Sequence, residues 1–463
     1  MATRYVLFWF DVEDCTVPQS DDAAMRLAEI LTAHGIAGTM KVVGQKARML
    51  RQRLRYKVID ALDKHAIGFH SDMHGGRPQP AEYMGPCDWL EGIAEFERRE
   101  RRGVEELIDL WGRNPVCYGQ PGSNWSPQVF PVLRKWDIRT YVSGFGYVHL
   151  RRQPFRYGGI VNTSHMYAPG DAEEVRNHFT LGFDLGEPEA LAHYRELFDR
   201  AYDGLSDGGL ISIANHPCQL VLKRWFSTDM KSPDMREAGY RDFEEFVQYI
   251  LSHDDVEVIT ADRLPELYPD RAMNRVFSVD EMLDIAAELE EQITFVERGT
   301  MAMSAAEIFG MLTRCAARIL REGSAGPGAT CMHLDGPAGA CDDQETVSRV
   351  SRATFEQAIF AAEEFIVAEG RMPDRISIEG LILSPVDYLG ALARSIPALV
   401  EGEGLPEQVI IDPVRPAFEE HVDIDAARAA WTGAMMPENF SAPKLLQQAL
   451  LQAWTLKPAI LAD

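Results

Sequence analysis

Short apolar segments alternate with helical segments over the first 260 residues, and this alternation limits the fold more than any other feature of the chain. The apolar segments are typical of buried strands and lie at residues 5–10, within 35–43, and at 67–69, 116–118, 209–214 and 256–260. Segments of helical periodicity separate them, at 22–34, 54–64, 88–112 and 241–252. Strands that alternate with crossover helices form parallel sheets. The sequence therefore predicts an α/β fold, either a barrel or a doubly wound sheet.

The character of the sequence changes at residues 264–270, where two prolines and several polar residues predict a linker. Beyond Ser278 the chain is rich in Leu, Ala, Met and Glu, which favour helices. We therefore predict an α/β domain over residues 1–268 and a smaller, mostly helical domain over residues 275–463.

The C-terminal part contains two weakly repeated elements. An apolar residue followed by Pro and an acid occurs at Met372, Leu405 and Met436, with spacings of 33 and 31 residues. A serine after an apolar residue occurs at Ser304, Ser384 and Ser441. Serine is a good N-cap, so each serine predicts a helix start. True repetition and chance reuse of helix-start signals both stay open.

The charge balance excludes some classes of partner. The chain has 46 Lys and Arg against 71 Asp and Glu, so its net charge is -25. Such a surface repels phosphate backbones and anionic lipids, which predicts neither nucleic-acid nor membrane binding. No run approaches the roughly 20 apolar residues that span a bilayer. The seven cysteines are scattered without a C-x-x-C pair, and the N-terminus lacks signal-peptide anatomy, so we predict free thiols and a cytoplasmic protein.

Two groups of residues indicate a metal site. His70 and His74 are four residues apart, within coordination reach of one ion if their segment is helical or tightly turned. Asp11, Glu13 and Asp14 crowd the end of the first apolar strand, where active sites of α/β folds lie. Clustered carboxylates repel one another, and a divalent ion removes that conflict. Accidental histidine spacing and solvated loop acids remain the alternatives.

Two further segments follow strands. His216 comes directly after the strand at 209–214, and a turn-rich loop at 118–125 follows another strand. The loop glycines would let backbone N–H groups approach a ligand. A structural role is the alternative for both segments. In an α/β barrel, all of these residues would lie on one rim.

The order of these motifs resembles that of the polysaccharide deacetylase superfamily (NodB homology, carbohydrate esterase family 4) over residues 5–268. Residues 10–14 are similar to its acidic motif, and residues 35–44 to its Gly-x-x-x-Thr-Phe-Phe-x-x-Gly strand. His70-Ser71-x-x-His74 matches the metal-binding His-Ser/Thr-x-x-His motif. The Gln-Pro-Gly at 120–122 falls where the family has Arg-x-Pro-x-Gly, and His216-Pro217 resembles its Leu-x-His-Pro motif. The resemblance implies a distorted (β/α) barrel of NodB type.

The resemblance also implies roles for these residues. Asp11 would be the catalytic base and His216 the acid that protonates the leaving nitrogen. His70, His74 and a carboxylate would hold one divalent metal. Either Glu13 or Asp14 supplies that carboxylate, and Glu13 is preferred because positions i and i+2 face one side of a strand. Substrate binding is expected from the loop residues Gln120, Pro121, Gly122, Asn124 and Trp125.

The implied activity is metal-dependent hydrolysis of a linear amide, most simply deacetylation of an N-acylated sugar or related small amide. Zn²⁺ suits two imidazoles and a carboxylate, and the site would also accept Mn²⁺, Fe²⁺ or Co²⁺. The expected partner is a small-molecule or oligosaccharide substrate.

Two departures from the family pattern favour an alternative, a catalytically impaired protein that binds a glycan or another ligand. Gly119 stands where the family has the arginine that holds the base, and another residue, such as Arg77 or Arg156, would have to substitute for it. The Asp-x-x-Asp-Trp motif is missing, and residues 183–186 replace it poorly.

In the C-terminal part, residues 360–396 resemble a pseudomurein-binding repeat, which implies binding to glycan or peptide. The alternative is a helical appendage through which the chain forms a homo-oligomer.

Overall fold

A computed structural model describes residues 3–142, 147, 148, 150, 154–163, 177–225, 227–341, 347–432 and 436–462, and the structural statements below concern these residues. The chain begins with an α/β region, and helices with pairs of short strands follow it.

A parallel sheet forms the centre of the α/β region. The strands of the α/β region are β1 (Arg4–Val12), β2 (Thr39–Val42), β3 (Ala66–Phe69), β4 (Thr140–Tyr141), β5 (Phe155–Tyr157), β6 (Ile160–Asn162), β7 (His178–Leu181), β8 (Leu210–Asn215) and β9 (Val256–Ile259). Of these, β1, β2, β3, β7, β8 and β9 form the parallel sheet, whereas β5 runs antiparallel to β6 in a neighbouring sheet. The order is β3-β2-β1-β8-β7, and β9 pairs with the first half of β1. Single parallel bridges from Phe69 to Tyr118 and from Tyr118 to Tyr141 lead on to β4, β6 and β5. The α/β prediction is confirmed, and the sheet has the form of a distorted barrel.

Helices connect these strands and cover the sheet. They are α1 (Gln19–Ala33), α2 (Gly44–Gln52), α3 (Tyr56–Leu62), α4 (Pro80–Met84), α5 (Trp89–Trp111), α6 (Val129–Lys135), α7 (Ala190–Gly204), α8 (Pro233–Leu251) and α9 (Leu264–Leu267). The long helix predicted over 88–112 is α5, which Asp88 caps in a capping box and Gly112 ends at φ 67°.

The C-terminal part combines helices with short paired strands. Its helices are α10 (Val279–Glu288), α11 (Ala305–Glu322), α12 (Arg352–Glu369), α13 (Pro385–Val400), α14 (Ile424–Ala429) and α15 (Pro443–Gln452). Its strands are β10 (Val276–Phe277), β11 (Gln292–Ile293), β12 (Val296–Arg298), β13 (Met301–Met303), β14 (Ala329–Thr330), β15 (Arg349–Ser351), β16 (Ile376–Ile378), β17 (Leu381–Leu383), β18 (Gln408–Ile410), β19 (Arg415–Pro416) and β20 (Lys457–Pro458). Among the described residues, no helix combines the length and apolar character needed to cross a membrane.

The predicted helix starts in this part are partly correct. Ser304 and Ser384 are N-caps whose hydroxyls accept hydrogen bonds from the backbone N–H groups of Glu307 and Asp387. The prediction at Ser441 is wrong, because α15 begins at Pro443 and the residue before it is Ala442. The strand pairs were not predicted, since strands of two or three residues are too short to show alternation.

The C-terminal part packs against the α/β region. β20 pairs antiparallel with β5, and the indole of Trp431 stacks on Trp125 with ring centroids 4.7 Å apart. The segment predicted as a linker contains α9 and the buried Tyr268. Whether the parts fold as separate domains divided near residues 268–275 stays a prediction.

Loss of one buried ion cluster between the two parts should destabilise the protein. The Lys457 ammonium lies 2.8 Å from carboxylate oxygens of both Glu307 and Asp270, and it is 2% exposed. Lys457→Met leaves Glu307 without its cation and Asp270 with only Arg156, at 3.6 Å, so the free energy of unfolding should fall by about 3–5 kcal/mol. Urea denaturation measures this change. The control is Lys444→Met, which removes a surface pair with Asp88 and should change little; equal stability of both variants would contradict the expected role.

Candidate metal and catalytic site

The candidate residues meet at the carboxyl edge of the parallel sheet. Asp11 is the last residue but one of β1, and Glu13 follows that strand directly. His70 follows β3, and His216 follows β8. Because parallel strands end at the same edge, residues far apart in sequence come together there.

Glu13, His70 and His74 form one compact group. The Nε2 atoms of His74 and His70 lie 2.8 and 3.3 Å from Glu13 Oε2. Their ligand atoms all lie within 4.8 Å of one another. Two ligands of a tetrahedral Zn²⁺ at about 2.0–2.1 Å are roughly 3.3 Å apart, so these separations suit a shared ion.

Backbone and helix contacts hold the turn that carries the two histidines. Ser71 has φ 64°, which turns the chain sharply between them. The Asp72 N–H donates to Glu100 of α5 at 2.6 Å, and the Tyr83 hydroxyl donates to the other oxygen of Glu100 at 2.9 Å. A Cβ at Gly103 would lie 2.8 Å from Asp72 Cα, so glycine allows this close packing of α5.

A hydrogen bond to the backbone fixes the orientation of the His70 ring. Its Nδ1 lies 2.8 Å from the Gly119 carbonyl oxygen, so Nδ1–H is the donor and the Nε2 lone pair faces Glu13. Metal-binding histidines usually have such a second partner. Donor types, spacing and ring orientation all fit a divalent ion held by Glu13, His70 and His74.

Asp14 lies outside this group. Its carboxylate accepts hydrogen bonds from the backbone N–H groups of Thr16 and Val17, at 3.2 and 3.3 Å. It therefore closes the turn before α1. Of the two carboxylates considered from sequence, the geometry brings Glu13 and not Asp14 to the histidines.

Asp11 and His216 form a second pair beside the group. His216 Nε2 lies 3.3 Å from Asp11 Oδ2. Burial raises the pKa of Asp11, but the charges of His70 and Lys41 outweigh burial and hold that pKa below its usual value. Burial lowers the pKa of His216, but the carboxylates of Glu13 and Asp11 outweigh it and raise the pKa. These shifts favour a carboxylate base beside a protonated imidazole acid.

Among the described residues, none forms a hydrogen bond to the ring nitrogen of His216 that faces away from Asp11. Its buried Nδ1 has no hydrogen-bond partner in the described part of the chain. Asp184, in the segment compared with the missing Asp-x-x-Asp-Trp motif, instead accepts a hydrogen bond from the Tyr194 hydroxyl. The electrostatic support of His216 thus comes from Asp11 and Glu13.

Lys41 was not predicted as a site residue. Its ammonium lies 2.9 Å from Asp11 Oδ1, and its side chain is 1% exposed. The sequence feature that could have indicated Lys41 is its place within the predicted buried strand at 35–43. There the motif compared with residues 35–44 has a phenylalanine. The two arginines suggested as substitutes for the missing family arginine contact other groups. Arg77 lies 3.8 Å from Glu82, and Arg156 donates to the Tyr268 carbonyl.

The loop expected to bind substrate is mostly buried. Gln120 accepts a hydrogen bond from Tyr141, and Asn124 donates to the Pro121 carbonyl at 2.9 Å. Gly122, at φ 50°, is exposed at the turn.

Trp125 was expected to bind substrate, but it packs against the C-terminal part. It is 2% exposed, stacks on Trp431, and its indole N–H donates to the Ala427 carbonyl at 3.3 Å. The expected binding role of Trp125 is therefore not supported.

Trp225 is an aromatic side chain at the site that the sequence motifs did not indicate. Its ring meets His216 edge to face with centroids 4.9 Å apart, and Phe183 packs on it at 5.0 Å. Trp225 is 39% exposed, so part of its ring faces solvent beside His216. The sequence feature that could have indicated Trp225 is an aromatic residue soon after His216 in the segment that follows β8.

Glu100 should make stability depend on pH. Burial, with the nearby Asp72 charge, raises the pKa of Glu100 from 4.5 to about 7. The folded state therefore binds the proton more tightly, and the free energy of unfolding should fall as pH rises from about 4.5 to 7. The fall should reach up to about 3 kcal/mol and should be smaller in Glu100→Gln. Urea denaturation at several pH values measures it, with the exposed Glu105→Gln on the same helix as control. Equal slopes in Glu100→Gln and wild type would contradict the expectation.

Comparison with known proteins gives matches only at the level of structure. No protein-family model matches the chain, and no curated protein matches it. The matching solved structures include polysaccharide deacetylases and other members of carbohydrate esterase family 4.

Three of these structures show how similar the matches are in sequence and in fold. A protein described as a probable polysaccharide deacetylase from Pseudomonas aeruginosa is 16% identical, with 58% of this chain and 93% of that chain covered and a TM-score of 0.39. An allantoinase is 14% identical, with coverages of 58% and 92% and a TM-score of 0.39. A family 4 acetyl xylan esterase from Clostridium thermocellum, solved with a cobalt ion, is 14% identical, with coverages of 57% and 91% and a TM-score of 0.32. Likenesses at these values carry no conclusion about activity.

Proposed function

We propose that this chain is a metal-dependent hydrolase of a linear amide bond, and that its substrate is an N-acylated sugar or a related small amide. The observation that carries the proposal is the meeting of two groups at one sheet edge. Glu13, His70 and His74 have the spacing of ligands to one metal ion, and His216 Nε2 lies 3.3 Å from Asp11 Oδ2 beside them.

Each residue of the proposed site has a chemical task. A divalent ion held by Glu13, His70 and His74 would polarise the substrate carbonyl and lower the pKa of a water molecule. Asp11, ionised because of its low pKa, accepts the proton of the attacking water. His216, whose pKa the carboxylates of Glu13 and Asp11 raise, donates a proton to the leaving nitrogen. The partly exposed Trp225 ring offers an apolar surface for a sugar ring on the side of His216.

A glycan-binding protein with impaired turnover is the second candidate. The observation that favours it is the Nδ1 atom of His216, which lacks an orienting carboxylate in the described part of the chain. Imidazole orientation contributes to proton transfer, so its loss would lower turnover without abolishing ligand binding.

An acyl-release screen tests the proposal. Wild-type protein loaded with Zn²⁺, Mn²⁺ or Co²⁺ is incubated with a panel of N-acetylated and N-formylated sugars and small amides, and released acetate or formate is quantified. Release should require the metal and stop after chelation. Metal-loaded protein that releases nothing across the panel, yet binds glycans in calorimetry, would support the second candidate instead.

A further inference from the structure

Lys41 is a buried cation aligned with the proposed base across the sheet. In the strand register Lys41 pairs with Asp11 on one side and with Gly68 on the other. Opposite charges directly across two strands attract. The ammonium lies 2.9 Å from Asp11 Oδ1, and the two side chains are 1% and 5% exposed. The pair therefore lies away from the screening effect of water.

Two glycines leave the room that the lysine side chain occupies. A Cβ at Gly119 would lie 2.5 Å from Lys41 Nζ, closer than non-bonded atoms approach. A Cβ at Gly68 would lie 3.0 Å from Lys41 Cγ. The absence of a side chain at Gly119 therefore leaves open the space that the Lys41 ammonium occupies.

An aromatic ring holds Lys41 from a second direction. Its Nζ lies 3.8 Å from the centroid of the Trp9 ring, a cation–π distance. The Trp9 indole N–H donates to Ser212 Oγ at 2.9 Å, which fixes the ring. A buried ammonium needs such partners, because burial without them is costly.

We propose that Lys41 is a positioning residue that holds Asp11 in the orientation needed for proton transfer. The inference rests on the function proposed above. The Lys41 ammonium makes an ion-pair contact with Oδ1 of Asp11 at 2.9 Å, while the other oxygen, Oδ2, lies 3.3 Å from His216. The ion pair therefore determines which carboxylate oxygen faces the site. Loss of a positioning contact at a base lowers turnover by roughly 10²-fold.

A double-mutant cycle in the acyl-release assay tests this role. Lys41→Met should lower kcat roughly 10²-fold, with KM and bound metal little changed. In the Asp11→Asn background, Lys41→Met should cost little more, because Lys41 acts through Asp11. A merely structural role would instead lower activity by the same factor in both backgrounds, and that result would overturn the inference. If Lys41→Met is insoluble, Lys41→Gln also removes the charge and gives the same test.

A second measurement separates this inference from the proposed function. If wild-type protein releases no acyl group, the function fails, and crystal structures of wild type and Lys41→Met then test Lys41 alone. The Asp11 carboxylate should turn away from His216 in the variant. An Asp11 carboxylate in the same orientation in both structures would overturn the positioning role whatever the activity.

Discussion

Purified wild-type protein should carry one divalent ion per chain, and His70→Ala and His74→Ala should each lose it. Each imidazole supplies one of three ligand atoms within 4.8 Å of one another, so two remaining ligands bind the ion poorly. Loss of a residue that merely supports a ligand costs about 10–100-fold in affinity, so loss of the ligand itself should cost at least about 100-fold. Elemental analysis after dialysis measures the metal content.

Two controls make this result specific. His193→Ala changes an exposed histidine on α7 and should keep the ion. Glu13→Gln should lose the ion while Asp14→Asn keeps it, because only Glu13 reaches the histidines. Equal metal content in wild type, His70→Ala and His74→Ala would rule out the site, and loss from Asp14→Asn alone would move the carboxylate ligand to Asp14.

Asp11→Asn should abolish most of the acyl release while the metal stays bound. An amide of the same shape cannot accept the proton of the attacking water. General base catalysis contributes about 10²–10⁴-fold, so kcat should fall by that factor. Initial rates of acetate or formate release, measured beside metal content, give the result.

The matched control for this prediction is Asp14→Asn, since Asp14 lies three residues further along and outside both groups of site residues. It should keep most of the activity. If wild type and Asp11→Asn released acyl groups at equal rates, Asp11 would not be the base, and the binding-protein alternative would gain support.

The site was only partly predictable from sequence, because many of its contacts join residues that are far apart in the chain. His70 and His74 were recognised because four residues of chain place them near each other whatever the rest of the molecule does. The preference for Glu13 over Asp14 rested on the alternation of side chains along a strand, and the geometry agrees with it. The contact of Trp125 with Trp431 was not predicted, because Trp431 lies about 300 residues away in the chain and no local pattern indicates that contact.

The sequence by itself determined the α/β class, the strands β1, β2, β3, β8 and β9, and the identities of Asp11, His70 and His216 as candidates. These features depend on local periodicity and on residues at strand ends, which a linear pattern records. Only the tertiary structure decided that Lys41 is the cation beside Asp11 and that the C-terminal part packs on the loop holding Trp125. Strand register and packing between distant segments depend on which surfaces bury one another, and that choice is made by the folded chain as a whole.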